Sequence, residues 1–525
     1  MSFRWVVAWF GVGVTALCVA FDASCATLTV TTTNDAGAGS LRQIIKSAAA
    51  DDTINIGVTG LITLTNGELL IDHDLIIVGP GATNLAVSGN HLGRIFQIAP
   101  NAIVDISDLT IRDGHAADGT NASSPIGQSG GDGQNGGGVY NLGTLRLLRC
   151  AIEGNLAGNG GCGGVGGTGG NGGGIYNAGT LAIEACTFSS NTAGFGNGCF
   201  ANGGVGGCGG AIFNVGSLAM TVSTLSGNFA GDGANGVFPG GSGGNGGHGG
   251  GVYSSGTLSL LSSTIAGNFS GSGGSGASGG YFQRGGNGGN GGSGGAILNA
   301  ASPTSAHSSS TLIALNTLGD YGRAGSGPGG IGFSGMFGTG LNVAGEFVSL
   351  GYNLIGLLEI GSRAGFTNGV NNDLVGTGYF LDPKLGPLGN NGGPTMTMAL
   401  LPDSPALDAG MQNGLNADQR GRNRTFDDAA IANPAGGNGT DIGAFELQSP
   451  AAVFTRVTRT DTNVVLRLNT EVGQIYAVER TSSLTPDAWN TFVQDLPGTG
   501  GELEVIDIGG ALHQQHFYRA RANPQ

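Results

Sequence analysis

The sequence has 525 residues, a formal net charge of −15 and 39% hydrophobic residues. It contains 109 glycines but only 16 prolines, which excludes a collagen triple helix, because that structure combines glycine at every third position with abundant proline. Lysine occurs only at Lys46 and Lys384, so no basic surface is available for phosphates, and we expect no nucleic-acid partner.

The first 26 residues have the features of a signal peptide. A short segment containing Arg4 precedes an apolar run over residues 5–21, and small residues follow it up to Ala26. A membrane anchor is the alternative, but the run is short for a span. Lipidation of Cys25 is a further alternative, although the residues before it lack the expected apolar side chain. We therefore predict export and no transmembrane segment in the mature chain.

Residues 27–135 are predicted to start the fold. Leu41, Ile44, Ile45 and Ala48 recur at helical spacing and indicate a capping helix. Short strand-like runs follow at residues 61–64, 69–78, 94–98 and 103–111, with turn signals between them. These runs predict the first, less regular coils of a solenoid.

Residues 136–380 contain an internal repeat. Similar segments occupy residues 136–158, 172–194, 209–231 and 249–271, and a degenerate copy begins at Gly294. Within each copy apolar residues alternate at strand period and align in three files. Three short strands per unit predict one coil, and stacking of the coils gives an all-β fold, a right-handed parallel β-helix.

Asparagine and cysteine recur at fixed places in the repeat. Asparagine tolerates left-handed backbone and can bond to the amides of neighbouring coils. We predict structural ladders at two corners, formed by Asn141, Asn177, Asn214 and Asn299, and by Asn155, Asn191, Asn228, Asn268 and Asn316. Cys150 and Cys186 occupy equivalent positions and should stack inside the core. They are interpreted as small buried side chains, and a disulfide between them is the alternative.

Glycine-rich inserts separate the copies. Two glycines usually precede each variable residue, as in residues 160–174 and 240–251. Period three without proline predicts extended polyglycine strands that pack as a layer. Flexible linkers are the alternative interpretation.

The C-terminal part divides in two. Residues 381–449 have few strand runs but many Gly, Pro, Asp and Arg residues, and are predicted to cover the β-helix. Residues 450–525 lose the glycine and regain alternation, which predicts a separate small β-sandwich-like domain.

Several sequence blocks carry a family resemblance. NDAGAGSLRQII from Asn34, GELLIDHDLIIVGPGATNLAVSGN from Gly67, the GGGIYN repeats, and LDPKLGPLGNNGGPTMTMALLPDSPALDAG with DQRG and DIGAFE resemble the bacterial choice-of-anchor Q proteins over residues 29–446. That resemblance implies a right-handed β-helix and no established activity. The repeats alone also resemble chlamydial polymorphic outer-membrane proteins. The C-terminal YAVERTSSLTPDAWNTF and HFYRARA resemble a small β module of secreted proteins from Verrucomicrobia.

Charged residues are sparse in the repeats, which leaves two patches as candidate sites. The first patch comprises Asp105, Asp108, Arg112, Asp113, His115 and Asp118, whose alternate spacing could place several side chains on one face of an early coil. Asp105, Asp108 and Asp113 are its candidate catalytic residues. The alternative is a solvated strand face. The second patch comprises Asp408, Asp418, Arg420, Arg422, Arg424, Asp427, Asp428, Asp441 and Glu446, and paired charges of this kind more often hold a structure together than catalyse. Either patch could bind Ca²⁺, although no loop has calcium-binding spacing.

The sequence therefore favours a secreted or cell-surface β-helix protein without catalytic activity. Adhesion, envelope structure and contact with extracellular polysaccharide or cell-surface components are the expected roles. The alternative is a polysaccharide lyase or glycoside hydrolase acting at Asp105, Asp108 and Asp113. No cofactor is implied by either role except Ca²⁺.

Overall fold

The structure is a computed structural model. It describes residues 25–123, 128–237, 239–359, 364–428, 431–448, 454–470, 475–483, 489–499, 501–512 and 515–523. Residues 1–24 of the predicted signal peptide lie outside the described residues. Within the described ranges, no helix is long and apolar enough to cross a membrane.

The predicted parallel β-helix is confirmed. Three parallel sheets of 10, 10 and 8 strands run along it, and the chain visits sheet A, then sheet B, then sheet C in each coil. Sheet A contains β1 Thr27–Val30, β2 Asp52–Ile56, β5 Leu75–Val78, β8 Ile103–Ser107, β11 Thr144–Leu148, β14 Thr180–Glu184, β17 Ser217–Thr221, β20 Thr257–Leu261, β23 Ala306–Ser309 and β26 Val348–Ser349.

Sheets B and C complete the coils. Sheet B contains β3 Gly60–Thr63, β6 Leu85–Ser88, β9 Thr110–Arg112, β12 Ala151–Glu153, β15 Thr187–Ser189, β18 Thr224–Ser226, β21 Thr264–Ala266, β24 Leu312–Ala314, β27 Leu354–Leu358 and β28 Leu374–Thr377. Sheet C contains β4 Leu69–Ile71, β7 Phe96–Ile98, β10 Val139–Asn141, β13 Ile175–Asn177, β16 Ile212–Asn214, β19 Val252–Ser254, β22 Ile297–Asn299 and β25 Val343–Ala344.

The core is made by side chains stacked in register from coil to coil. On sheet A, Leu145 pairs with Leu181, which in turn pairs with Leu218. On sheet B, Ile152 pairs with Phe188. These side chains are at most 1% exposed and belong to one hydrophobic cluster that runs the length of the β-helix. Each coil covers the apolar face of its neighbours, which is why the repeat is stable only as a stack.

The capping helix is present as α1, Leu41–Ser47. It begins where the Ser40 hydroxyl accepts a hydrogen bond from the Gln43 amide. Leu41 and Ile45 are buried in the core cluster, and the helix contacts β1, β2 and β4. The apolar spacing in the sequence thus identified the side of the helix that packs on the first coil.

The glycine-rich inserts are ordered and form a bundle between sheets B and C, which we call the glycine bundle. In each of six successive coils, starting with the one that contains β9, an outgoing segment leaves sheet B and a return segment enters sheet C. The outgoing segments cover residues 114–123, 154–164, 190–200, 227–237, 267–278 and 315–327, and the return segments residues 128–138, 165–174, 202–211, 242–251, 285–296 and 331–342. Their amides bond between segments in a zigzag, from Gly271 to Gly247, from Gly247 to Gly231 and from Gly231 to Gly207.

Glycine is required inside this bundle because neighbouring backbones leave no space for a side chain. A Cβ on Gly247 would lie 1.8 Å from the Gly207 carbonyl oxygen, and one on Gly231 would lie 1.9 Å from the Gly194 oxygen. Every third position points out of the bundle and carries the variable residue, as expected for extended strands with three residues per turn. The inserts therefore pack as extended polyglycine strands, and they are not flexible linkers.

Residues 381–447 form a segment that we call the strap. It contains the antiparallel pair β29 Leu385–Gly389 and β30 Thr397–Leu400. The strap covers the β-helix along the outer face of sheet B, where Leu407, Ile442 and Phe445 cluster with apolar side chains of β24 and β27. Thr224 and Thr264 on that face are buried although they point away from the core. The segment predicted to cover the β-helix thus covers one side of it, the outer face of sheet B.

The C-terminal module has two three-stranded antiparallel sheets around its own core. One sheet contains β31 Phe454–Thr460, β32 Asn463–Asn469 and β35 Glu502–Asp507, and the other β33 Ile475–Thr481, β34 Asn490–Pro497 and β36 Phe517–Asn523. Among the described residues, the hydrophobic cluster of this module contains members between Phe454 and Ala522 only. This arrangement matches the sandwich-like unit expected from the alternation.

Candidate binding groove

The three early aspartates do not form one site. Asp105 lies on the outer face of sheet A, next to Arg146 of the following coil. Asp108 lies at the corner after β8, where both its carboxylate oxygens accept hydrogen bonds from Arg149. Asp113 lies at the corner after β9 and accepts a hydrogen bond from Arg112 at 2.8 Å. The three side chains do not share one face, because the coil turns at the corner after β8 and again at the corner after β9.

The second charged patch lies within the strap, where Asp408, Asp418, Arg420, Arg424, Asp441 and Glu446 are buried, whereas Asp427 is exposed. Asp418 accepts hydrogen bonds from the Arg420 and Arg422 amides and from the Arg420 side chain. Glu446 accepts from the Phe426 and Asp441 amides. These contacts close the loops of the strap on themselves, so its DQRG and DIGAFE blocks have structural roles. Asp427 also accepts a hydrogen bond, from the side chain of Asn433.

Gln419 connects the strap to the β-helix. Its side-chain amide donates to the Cys186 carbonyl and the Thr187 hydroxyl, and its oxygen accepts from the Thr224 hydroxyl at 2.6 Å. The residue is 0% exposed. This role was not predicted from the sequence, where the one sign of it is a recurrent threonine at the start of successive sheet B strands.

The two asparagine ladders are continuous and buried. The Asn141 side chain donates to Asn177 at 2.7 Å, and Asn177 donates to Asn214 at 2.7 Å. The second ladder is joined by side-chain hydrogen bonds of 2.8 to 3.1 Å and contains the predicted Asn155, Asn191, Asn228, Asn268 and Asn316. It extends one residue beyond the prediction, to Asn342. These amides satisfy each other inside the β-helix, so they offer no group to a ligand.

Two cysteines of the repeat lie in the core, and two others form a disulfide. Cys150 and Cys186 are buried free thiols, and the Cys150 amide donates to the Cys186 sulfur. The disulfide considered between them is not formed, and burial raises the pKa of Cys186. A disulfide instead joins Cys162 to Cys199 across adjacent outgoing segments. Their separation of 37 residues, close to one repeat, was the signal for this pairing.

A groove runs along the β-helix axis where the outgoing segments leave sheet B. One side, the base file, is formed by the residues that directly follow the ladder asparagines of successive coils, and these residues pair in register. Phe229 and Phe269 stack within it with ring centroids 4.6 Å apart and planes 3° from parallel. The base file consists of Thr192, Phe229, Phe269 and Thr317.

The opposite side of the groove is formed three residues further along each outgoing segment. Because these segments repeat every three residues, the two sides face the same way, roughly 9 Å apart. This wall file consists of Phe195, Asp232, Ser272 and Asp320. Small residues such as Ala230 and Gly319 form the floor. The groove has a volume of about 600 Å³ and crosses four coils, a length of roughly 14 Å.

The groove combines apolar and acidic side chains. Phe229 is 41% exposed and Phe195 is 40% exposed. Asp232 and Asp320 are also exposed, and the Asp232 carboxylate accepts a hydrogen bond from the Ser272 amide. No lysine, arginine or histidine belongs to the lining among the described residues. This chemistry suits a polyhydroxylated or cationic chain and disfavours an anionic one.

No group of three or more His, Cys, Asp or Glu side chains suited to a metal ion occurs within the described ranges. His248 lies in a return segment, where its Nδ1 accepts a hydrogen bond from the Ser293 amide. Burial lowers the pKa of His248. The hydrogen bond of this histidine therefore joins two adjacent return segments of the glycine bundle.

Comparison with known proteins found no matching family model and no matching curated protein. The fold and the groove define the class of the molecule as a parallel β-helix with a glycine bundle and an axial surface groove. The resemblance to choice-of-anchor Q proteins stays a prediction.

Proposed function

We propose that this protein is exported and binds an extended polysaccharide chain along the axial groove, without cleaving it. The observation that carries the proposal is the stacked pair Phe229 and Phe269 in an open groove that also contains Phe195. Exposed aromatic side chains are costly in water and are typical of binding sites. Aromatic rings in a concave site also present apolar surface against which sugar rings can pack.

The direction of the groove supports a polymeric ligand. Its sides repeat with the coil spacing of about 4.8 Å, so a chain lying along the axis meets similar chemistry at each coil. The hydroxyl groups of Thr192, Ser272 and Thr317 line it beside the aromatic rings. A compact small molecule would use only a fraction of this length.

Export and surface display are supported by the predicted signal peptide and by the Cys162–Cys199 disulfide, because disulfides persist in oxidising compartments. The resemblance to choice-of-anchor Q proteins supports the same location. We propose that the C-terminal module serves sorting or attachment.

A hydrolase is the second candidate function, on one observation. Asp232 and Asp320 occupy one file two coils apart, roughly 9.6 Å by strand spacing, close to the carboxylate separation of inverting glycosidases. Both side chains are exposed, whereas a catalytic acid requires a burying environment. The structure no longer offers the early aspartates as a site, so this pair replaces them in the hydrolase alternative.

Affinity electrophoresis of the mature chain in gels containing soluble β-linked polysaccharides tests the proposal. We expect at least one neutral or cationic polysaccharide to retard the protein. Phe229→Ala should weaken that retardation about tenfold, because truncating a central aromatic side chain in an interface costs more than about 1 kcal/mol. Circular dichroism checks that the variant is folded.

Tyr281→Ala is the matched control. Tyr281 is 92% exposed and is not among the lining residues of the groove, so the variant should bind like the parent. Equal binding by Phe229→Ala and the parent, or no retardation by any polysaccharide, contradicts the proposal. Release of reducing ends that Asp232→Asn abolishes would instead establish the hydrolase.

A further inference from the structure

The acidic residues of the groove occur at a fixed interval. Asp232 and Asp320 lie in the wall file with Ser272 between them, so the two carboxylates are separated by two coils, roughly 9.6 Å. Both are exposed. Asp232 uses one oxygen to accept the Ser272 amide hydrogen, which holds its carboxylate in position.

Among the described residues that line the groove, no lysine, arginine or histidine compensates this negative charge. The nearest cation along the same outgoing segment as Asp320 is Arg323, three residues on and therefore in the next file outward. The backbone amide of Arg323 bonds to Ser275, which belongs to that outer file. The aromatic base file lies on the opposite side of the groove, so a bound chain contacts rings on one side and carboxylates on the other.

We infer that the groove is selective for a β-1,4-linked polysaccharide that carries free amino groups, of the glucosamine type. This inference rests on the proposed function and specifies its ligand. An extended chain of this linkage advances by about one coil spacing per sugar. Successive sugars are turned over, so every second amine points to the same side, at the interval between Asp232 and Asp320.

A basic peptide is a different class of ligand and fits less well. In an extended peptide, side chains three residues apart span about 10 Å but point to opposite faces. A polyproline-type peptide with lysine at every third position does match the carboxylate interval. It lacks the sugar hydroxyl groups that Thr192 and Thr317 can bond, and we use it as the competing probe.

The test compares binding of the full mature chain to glucosamine oligomers, to fully N-acetylated oligomers of equal length, and to a peptide with lysine at every third position among prolines. Isothermal titration calorimetry at low salt measures each affinity. We expect the glucosamine oligomer to bind about tenfold more tightly than either other probe. In 1 M salt, where the Debye length is about 3 Å, the difference should largely disappear.

The variant Asp232→Asn with Asp320→Asn should lose about tenfold in affinity for the glucosamine oligomer and keep its affinity for the acetylated oligomer. Asparagine at position 232 retains an acceptor for the Ser272 amide, so the fold is preserved. Asp132→Asn is the matched control, because Asp132 accepts the Thr168 amide in the same way on the return segments.

The outcomes separate the two proposals. Equal binding of acetylated and free-amine oligomers, with loss of both in Phe229→Ala, overturns the amine selectivity and keeps the groove. Tighter binding of the lysine peptide replaces the glycan with a basic protein segment. Absence of binding by all three probes, together with negative affinity electrophoresis, overturns the proposed function as well.

Discussion

Asp408, Asp441 and Glu446 are carboxylates buried inside the strap, at most 2% exposed. Burial raises the pKa of Asp408 to about 6, that of Asp441 to about 7 and that of Glu446 to about 9. The neighbouring charge of Asp441 adds to the effect on Glu446. Arg424 is fully buried beside them, and its Nε and Nη1 have no hydrogen-bond partner among the residues that the structure describes. The folded strap should therefore be more stable when these three carboxylates are protonated.

The stability of the strap should therefore fall as pH rises. Each acid binds its proton more tightly in the folded strap than in the unfolded chain, so the folded state holds more protons between the two pKa values. The loss of stability should begin near pH 4, the ordinary pKa of an aspartate. It should continue as the pH passes the folded-state pKa values of Asp408, Asp441 and Glu446, about 6, 7 and 9. Thermal unfolding followed across this range measures it.

Asp408→Asn is the informative variant. Asparagine keeps an acceptor for the Asp428 amide, which bonds to the Asp408 carboxylate at 2.9 Å, but cannot ionise. The variant should lose less stability than the parent between about pH 4 and pH 6. An unchanged pH profile would show that Asp408 titrates alike in the folded and unfolded states.

At the scale of elements, the glycine bundle and the sheets hold successive coils together by different interactions. The sheets bury apolar side chains between coils, whereas the bundle buries backbone amides and carbonyls that bond to each other at 2.6 to 3.3 Å. Such close packing excludes side chains from two positions in three. The third position is free to vary, and this freedom lets the wall file carry Phe195, Asp232 and Asp320 without disturbing the bundle.

Gly247→Ala should destabilise the protein by about 3 kcal/mol, because its Cβ would meet the Gly207 carbonyl at 1.8 Å and the backbones must separate. Ser278→Ala is the control, since Ser278 is an exposed residue of an outgoing segment. Urea unfolding followed by circular dichroism compares the two variants. If Gly247→Ala unfolds at the parent's midpoint, the bundle is not closely packed in solution.

At the scale of the whole molecule, the structure has separate cores. The long cluster of the β-helix and the cluster under the strap share the same coils, while the cluster of the C-terminal module contains, among the described residues, only members of that module. Trp489 belongs to that module, where the Arg519 guanidinium lies 4.4 Å from its ring centroid. It is the only tryptophan beyond the predicted signal peptide.

Tryptophan fluorescence should therefore follow the module alone, while far-UV circular dichroism follows mainly the β-helix. We expect two thermal transitions with different midpoints, because independent cores unfold independently. A calorimetric scan of the same sample provides a third probe. Coincident midpoints at several pH values would mean that the module and the β-helix unfold as one cooperative unit.

Local repetition in the chain was enough to predict much of this protein. Strand period, aligned apolar files and the recurrent asparagines identified the coils and ladders, because stacked coils place equivalent residues in contact. The helical spacing near Leu41 and the composition change after residue 449 likewise identified α1 and the C-terminal module.

Other features were decided only by the tertiary structure. The corners of a coil determine which face each side chain occupies, and they place Asp105, Asp108 and Asp113 apart. The stacking of coils brings residues of four coils together in the groove. Similarly, Gln419 reaches Thr187 across 232 residues of sequence, and no local pattern encodes that contact. Periodicity determines which residues are equivalent, whereas the path of the chain in space determines which of them meet.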